Sequence, residues 1–378
     1  MPEREHIVGA LREQPLRRQD LSAPEPSERI KKMRVVDFRS DTVSHPTPEM
    51  RRAMAEAEVG DDVQGDDPTV NRLQEMAAER MGKEAAMFVA SGTMGNLVSV
   101  LTHAQRGDEI ILGDKSHIFR SEAGGASALG GVAYHTVAND HRGMLDPDEV
   151  EAAIRPQNVH FARTAVVALE NTANASGGAV LTPEDTKAIA DVAHRHDVPL
   201  HMDGARIFNA AVYLETPAAE LVKEADSVSF CLSKGLSCPI GSLVCGSNEF
   251  IDQARWWRKM VGGGMRQVGI VAAAGIVALN TMVDRLADDH ANARRLALGL
   301  AKIPGISIDP EGLPTNLVFF DITAGDPVDL TRRINAQGIR GGAPIRRWRF
   351  ATHHGIDASD VDYALDIIDT TFREHTGG

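Results

Sequence analysis

The chain has 378 residues, 43% apolar and 25% charged, with a formal net charge of −13. This composition is that of a soluble globular protein with a core large enough for two or three domains. No apolar run approaches the roughly 20 residues of a membrane span, and the acidic balance argues against non-specific nucleic-acid binding. The three cysteines, Cys231, Cys238 and Cys245, fit neither a disulfide framework nor a zinc pattern. They read as small buried hydrophobes in a reducing, cytoplasmic setting.

Residues 1–32 are rich in Arg, Glu, Gln and Pro and lack the apolar stretch of a secretory signal. The expectation is an N-terminal extension that is mobile or packs on a neighbour. From Val35 onward, strand-like runs alternate with helical patterns, as in βαβ units. Asp67-Pro68 reads as an N-cap followed by Pro at the first helical position, opening a helix over Pro68–Met81 with Val70, Leu73, Met76 and Ala77 at helical spacing. Strands are expected at 85–89, 109–112, 166–169, before Asp203, near Cys231 and at 243–245. Helical patterns follow at 249–259 and 268–284. Beyond Asp288 a smaller α+β unit is expected, with strands near 316–321 and 348–351. The predicted architecture is α/β, with a large mainly parallel-sheet domain over 33–285 and a small C-terminal α+β domain over 286–378.

Lys234, in Ser233-Lys234-Gly235, follows a buried-strand pattern, and Asp203 closes another. Both would lie at carboxyl ends of strands, where open α/β sheets bind ligands. A lysine that forms a Schiff base with an aldehyde, and an aspartate that pairs with a pyridinium nitrogen, are what a pyridoxal 5′-phosphate (PLP) enzyme needs. Ser91-Gly92-Thr93-Met94-Gly95-Asn96 is a small-residue turn that opens a helix. It suits a phosphate and equally suits a tight connection that binds nothing. His117 and His160 could face a ring or move a proton, or be structural histidines. Arg206 and Arg349 offer the fork geometry a carboxylate takes, and Arg266, behind Gly262-Gly263-Gly264, could reach a phosphate. Turn and cap roles account for Asp61-Asp62 and Asp66-Asp67 without a metal.

From about Val36 to near the C-terminus the chain resembles the low-specificity L-threonine aldolases, PLP enzymes of fold type I. The strings that carry the resemblance are Phe38-Arg39-Ser40-Asp41-Thr42-Val43, Gly60-Asp61-Asp62, Gly65-Asp66-Asp67-Pro68-Thr69, His160-Phe161-Ala162-Arg163, Leu169-Glu170-Asn171-Thr172, 201–209, Leu232-Ser233-Lys234-Gly235 and 262–267. The resemblance implies Lys234 as the Schiff-base lysine and Asp203 as the partner of the pyridine nitrogen. Gly92 and Thr93 would hold the phosphate, with Arg266 from a neighbouring subunit. Ser40, Arg206 and Arg349 would hold the substrate carboxylate, and His117 and His160 would face the substrate hydroxyl, His117 also stacking on the ring. It further implies a homotetramer with active sites at a dimer interface. Gln64 and Ala173 depart from the family, which often carries Tyr and His there.

The expected activity is retro-aldol cleavage of L-threonine, L-allo-threonine and related L-β-hydroxy-α-amino acids to glycine and an aldehyde. A PLP-dependent β-eliminating lyase or aminotransferase on the same scaffold is the alternative within enzymes, since fold alone does not separate these. A non-catalytic PLP-binding protein is the alternative outside them.

Overall fold

Local chemistry and observed elements agree closely at the first long helix. Asp67 accepts a hydrogen bond from the Val70 backbone N–H at 3.0 Å, Pro68 occupies the first turn, and Gly82 ends the helix in the left-handed conformation (φ 60°). The computed structural model describes residues 34–375; the extension expected over 1–32 lies outside the described residues. From Val35 onward the chain forms one compact unit.

The strands are β1 Val36–Asp37, β2 Ala85–Val89, β3 Glu109–Gly113, β4 Ala133–Val137, β5 Thr164–Glu170, β6 Leu200–Asp203, β7 Ser227–Cys231, β8 Ser242–Gly246, β9 Ile306–Ser307, β10 Leu317–Ile322, β11 Ile339–Arg340 and β12 Arg347–Ala351. Seven form one sheet in the order β2-β8-β7-β6-β5-β3-β4, parallel except for β8. Every residue of β3, β5, β6, β7 and β8 is buried. That is the pattern of strands covered on both faces, and it explains why their sequences are continuous apolar runs. The edge strand β4 is mostly half-exposed and carries no such run, so sequence reading missed it. The helix expected over 268–284 ends at Thr281.

A second, antiparallel sheet has the order β12-β10-β9, and β1 pairs in parallel with β11. Its core is aromatic: Phe38 stacks on Phe350 at 5.0 Å, and Phe320, Trp348 and Phe372 close around them. Val36 and Phe38, from the start of the described chain, therefore belong to the core built by the last third of the sequence. That packing carries residues 39–44 over the carboxyl edge of the large sheet. No single helix among the described residues is long and apolar enough to cross a membrane.

Candidate active site

Parallel strands β5, β6 and β7 end side by side. Glu170 registers with Asp203, and Asp203 with Ser229. Lys234 lies three residues beyond β7, half-buried in the turn toward β8. The helix Gly92–His103 starts at the same edge. A Cβ on Gly92 would fall 2.8 Å from the Cys231 sulfur, so only glycine lets the helix begin this close to the sheet. Ser91 accepts from the N–H of Met94 through its hydroxyl (3.2 Å) and from that of Gly95 through its carbonyl (3.0 Å). The N–H groups of Gly92 and Thr93 are the ones no helical carbonyl can reach, at the positive end of the helix dipole.

Below this edge lies a buried polar floor. The Asp203 carboxylate is 2% exposed. Its Oδ1 accepts from the Ala205 N–H at 3.1 Å and its Oδ2 from Asn96 Nδ2 at 2.8 Å. The same Asn96 nitrogen donates to Glu122 Oε1 at 2.8 Å, and that oxygen lies 2.8 Å from His117 Nδ1. The donor atoms of His117, Glu122 and Asp203 all lie within 4.8 Å of one another. The Asn96 amide and the imidazole already supply the positive poles these carboxylates need. The Glu122 bond raises the His117 pKa against the opposing effect of burial. Burial raises that of Glu122. The pair therefore holds its proton more tightly than its parts would in water.

Glu170 ties this floor to the rest of the site. Its two oxygens accept the backbone N–H groups of His117 and Asn174, each at 2.8 Å. Burial first, and the Asp203 charge second, push its carboxyl up to about 7. Asn174 in turn accepts from Arg349 Nη1 through Oδ1 at 2.9 Å, and Arg349 Nη2 donates to the Arg39 carbonyl at 3.0 Å.

The opposite wall is ionic. Arg206 donates to Asp41 through Nε (2.7 Å) and Nη2 (2.8 Å), with both side chains buried. Burial opposes the Asp41 charge, but Arg206, Lys234 and Asn316 outweigh it and hold the carboxyl far below its usual range. Arg349 on β12 is close enough to Arg206 for the second guanidinium, after burial, to lower its own pKa. Two cations so placed, one of them matched by Asp41, favour an anion between them. Ser40 accepts from the Thr42 N–H at 3.2 Å, and Ser44 donates to the Lys234 carbonyl at 3.1 Å. These contacts hold residues 40–44 over the lysine.

Of the residues singled out in sequence, the structure gathers Ser40, Gly92, Thr93, His117, Asp203, Arg206, Lys234 and Arg349 around one edge. It does not bring His160 there. His160 precedes β5 rather than following it, so it lies at the amino end of that strand, exposed beside Val159 and Phe161. The seven residues of β5 separate it from Glu170, a span of roughly 20 Å at about 3.3 Å per residue. Within one chain, therefore, His160 and His117 lie at opposite ends of β5. Arg266 is exposed and donates to Asp61 Oδ2 at 2.7 Å. Asn96, Glu122, Glu170, Asn174 and Asp41 went unassigned in sequence, although four of them stand in or beside strings that drew attention. Glu122 had no signal beyond Glu122-Ala123-Gly124-Gly125.

The sequence profile of the beta-eliminating lyase family matches residues 37–323. Low-specificity L-threonine aldolase 1 of Arabidopsis thaliana is 48% identical over 342 residues, covering 88% of this chain and 95% of that protein. The chain belongs to the beta-eliminating lyase family, among its low-specificity L-threonine aldolases. The low specificity L-threonine aldolase of Escherichia coli K12 is 45% identical over 314 residues, 83% of this chain and 92% of its own. Among solved structures, the Leishmania major threonine aldolase superposes with a TM-score of 0.76 at 18% identity, covering 88% of this chain and 98% of its own. That likeness carries the fold. The low-specificity aldolase family accounts for the α/β architecture with a mostly parallel sheet and makes this chain a lyase.

Proposed function

We propose that the chain binds PLP and cleaves L-threonine, L-allo-threonine and related L-β-hydroxy-α-amino acids to glycine and an aldehyde. The observation that carries this reading is the position of Lys234. Its ammonium lies near enough to Asp41 to favour that carboxylate's charge and near enough to His117 to oppose its protonation. One amine thus stands between an anionic floor and a cationic wall. The residues present suit a group that joins an aldehyde, a basic ring nitrogen and a phosphate. Lys234 would hold the aldehyde carbon, Asp203 the ring nitrogen, and the N–H groups of Gly92 and Thr93 the phosphate. The close approach of Gly92 to Cys231, which a Cβ would block, supports that last assignment.

When bound, PLP supplies an electron-withdrawing ring that takes up the pair left on the substrate Cα. The chain's own groups do the rest. Arg349, with Arg206 and Ser40, binds and orients the carboxylate, which sets the bond to be broken. His117 offers Nε2 to the β-hydroxyl, because its Nδ1 is occupied by Glu122. As the hydroxyl proton leaves, the Cα–Cβ bond breaks, the β-carbon becomes the aldehyde, and Cα gains a proton to give glycine.

We also read the chain as a cytoplasmic homotetramer of two-lobed subunits divided near residue 285, with Arg266 reaching the phosphate of a neighbouring copy. Trp256 and Met260, 80% and 72% exposed on the helix Asn248–Met260 that precedes the 262–267 run, support a contact there.

Product analysis tests the activity. L-threonine should give glycine and acetaldehyde in equal amounts; 2-oxobutyrate and ammonia without glycine would mean an eliminating lyase instead. Lys234→Ala should lose at least roughly a thousandfold in turnover, the scale on which about 4 kcal/mol of barrier is lost. Borohydride reduction with peptide mapping should place the cofactor on Lys234 and on no other lysine.

A further inference from the structure

Behind Asp203 a file of buried polar side chains runs back through the sheet, and none of its outer members touches the site. Asn96 is 2% exposed, and His201 and Ser227 are fully buried. The orientation of the Asn96 amide follows from its surroundings. Its Nδ2 faces two carboxylates, Asp203 and Glu122, each at 2.8 Å, and a carboxamide oxygen there would meet acceptors only. Its Oδ1 therefore faces Ser229 Oγ at 2.6 Å and His201 Nε2 at 3.2 Å, so both must donate. Burial keeps His201 neutral, lowering its pKa to about 3. With its single proton on Nε2, its Nδ1 must accept from Ser227 Oγ, at 2.9 Å. The Ser227 oxygen is then free to accept from His103 Nε2, at 2.8 Å. His103, half-buried at the end of the helix Gly92–His103 and packed on Phe250, is also kept neutral by burial, its pKa lowered to about 4.

We infer that His103, Ser227, His201 and Asn96 form a one-way hydrogen-bond relay, every donor pointing toward Asp203, that positions this carboxylate without adding a positive charge beside it. The inference rests on the reading of Asp203 as partner of the PLP ring nitrogen. An arginine at Asn96 would also fix the aspartate, but would meet its charge and leave less to hold a protonated ring. A neutral file leaves that charge available. Because each link polarises the next, its effect at Asp203 exceeds that of the last bond alone. The four are positioning residues; none touches substrate or cofactor in this scheme.

The tautomers can be read in the full-length, cofactor-free protein by histidine ring 15N NMR. His201 should be the neutral Nε2–H form from pH 5 to pH 8, without titrating. A Nδ1–H tautomer would overturn the relay. In the holoenzyme, Ser227→Ala should raise the PLP dissociation constant roughly tenfold, the effect of losing one hydrogen bond. It should also shift the pH dependence of the bound cofactor's absorbance. His103→Leu, at the partly exposed end, should act in the same direction, and His103→Gln, whose amide can still donate, should restore the parent value. A lower denaturant midpoint with unchanged PLP affinity and unchanged pH profile in both Ser227→Ala and His103→Leu would reduce the file to a structural role and overturn the proposal. If the parent chain takes up no PLP, the functional reading falls, and the relay's purpose with it, whatever the tautomer.

Discussion

Two polar clusters flank Lys234, and they manage charge in opposite ways. The floor around Asp203 is held mainly by uncharged donors: Asn96, the Ala205 N–H and the serine and histidine behind them. The wall around Arg206 is held by formal charges, Asp41 against Arg206 with Arg349 nearby. The floor thus ends in a carboxylate met by neutral donors and, among the described residues, by no cation, whereas the wall cancels one guanidinium and leaves another. An amino acid bound between them meets a negative pole on one side and a positive pole on the other. The difference also bears on stability. Neutral bonds can be removed one at a time at modest cost, but a buried ion pair cannot be halved without leaving a bare charge.

The largest expected effect tests that asymmetry. Asp41→Asn keeps the shape and leaves Arg206 buried without its partner, so unfolding free energy should fall by about 3–5 kcal/mol. Ser229→Ala, which removes one neutral bond from the floor, should cost about 1 kcal/mol. Urea unfolding with unchanged slope measures both. Equal losses would erase the distinction between the clusters.

Glu170 stands between the two and should report through pH. Folded, it keeps its proton up to about pH 7, because burial and Asp203 disfavour its charge; unfolded, it releases it near its ordinary value of 4.5. Between those values the folded chain binds the extra proton, so stability falls as pH rises and levels off above about 7. The contribution is on the order of 3 kcal/mol across the window. Asp203, His117 and Arg206 are the charged groups that face it. Glu170→Gln should flatten the slope. It also turns an amide N–H toward a backbone N–H, a cost that does not vary with pH. Stability curves of parent and variant from pH 4.5 to 8 separate the two; parallel curves would assign the titration to another group.

Arg349→Lys should act on the wall alone. The charge remains but the fork that bonds Asn174 and the Arg39 carbonyl is lost. KM for threonine should rise roughly tenfold, with a smaller fall in kcat from misalignment. Unchanged steady-state constants would place the carboxylate contact elsewhere.

The floor was more legible in sequence than the wall, for a physical reason. Asp203 and Lys234 end apolar runs that a parallel sheet demands, and Gly92 and Thr93 open the helix that follows β2, so periodicity alone places all four on one edge. The wall joins residues 41, 206, 316 and 349, brought together only because Val36 and Phe38 pack into the aromatic core of the second sheet. No local pattern encodes that. In sequence Asp41 is no more distinctive than its neighbour Ser40, although its fully buried carboxylate, not the hydroxyl, holds Arg206. Asn96 reads only as part of a turn, since a side chain with four polar contacts in three dimensions looks in sequence like any helical asparagine.

The smallest expected effect concerns the two histidines that sequence treated alike. His117 is pinned at the carboxyl edge by Glu122 and Glu170. The side chain of His160 is exposed at the amino end of β5, where Asn158 Oδ1 accepts only its backbone N–H, at 3.0 Å. His160→Ala should therefore leave stability within about 0.5 kcal/mol of the parent, as for surface positions generally. It should leave kcat/KM for threonine within about twofold, a difference of roughly 0.4 kcal/mol. His117→Phe, which keeps a flat ring but cannot move a proton, should lower kcat sharply while PLP stays bound. A large loss in His160→Ala would break the contrast in an informative way. The 158–163 loop would then have to reach the site of a second subunit. Mixed oligomers of His160→Ala and Lys234→Ala chains would decide it, because two defects on different chains restore an intact site only when one site draws on both.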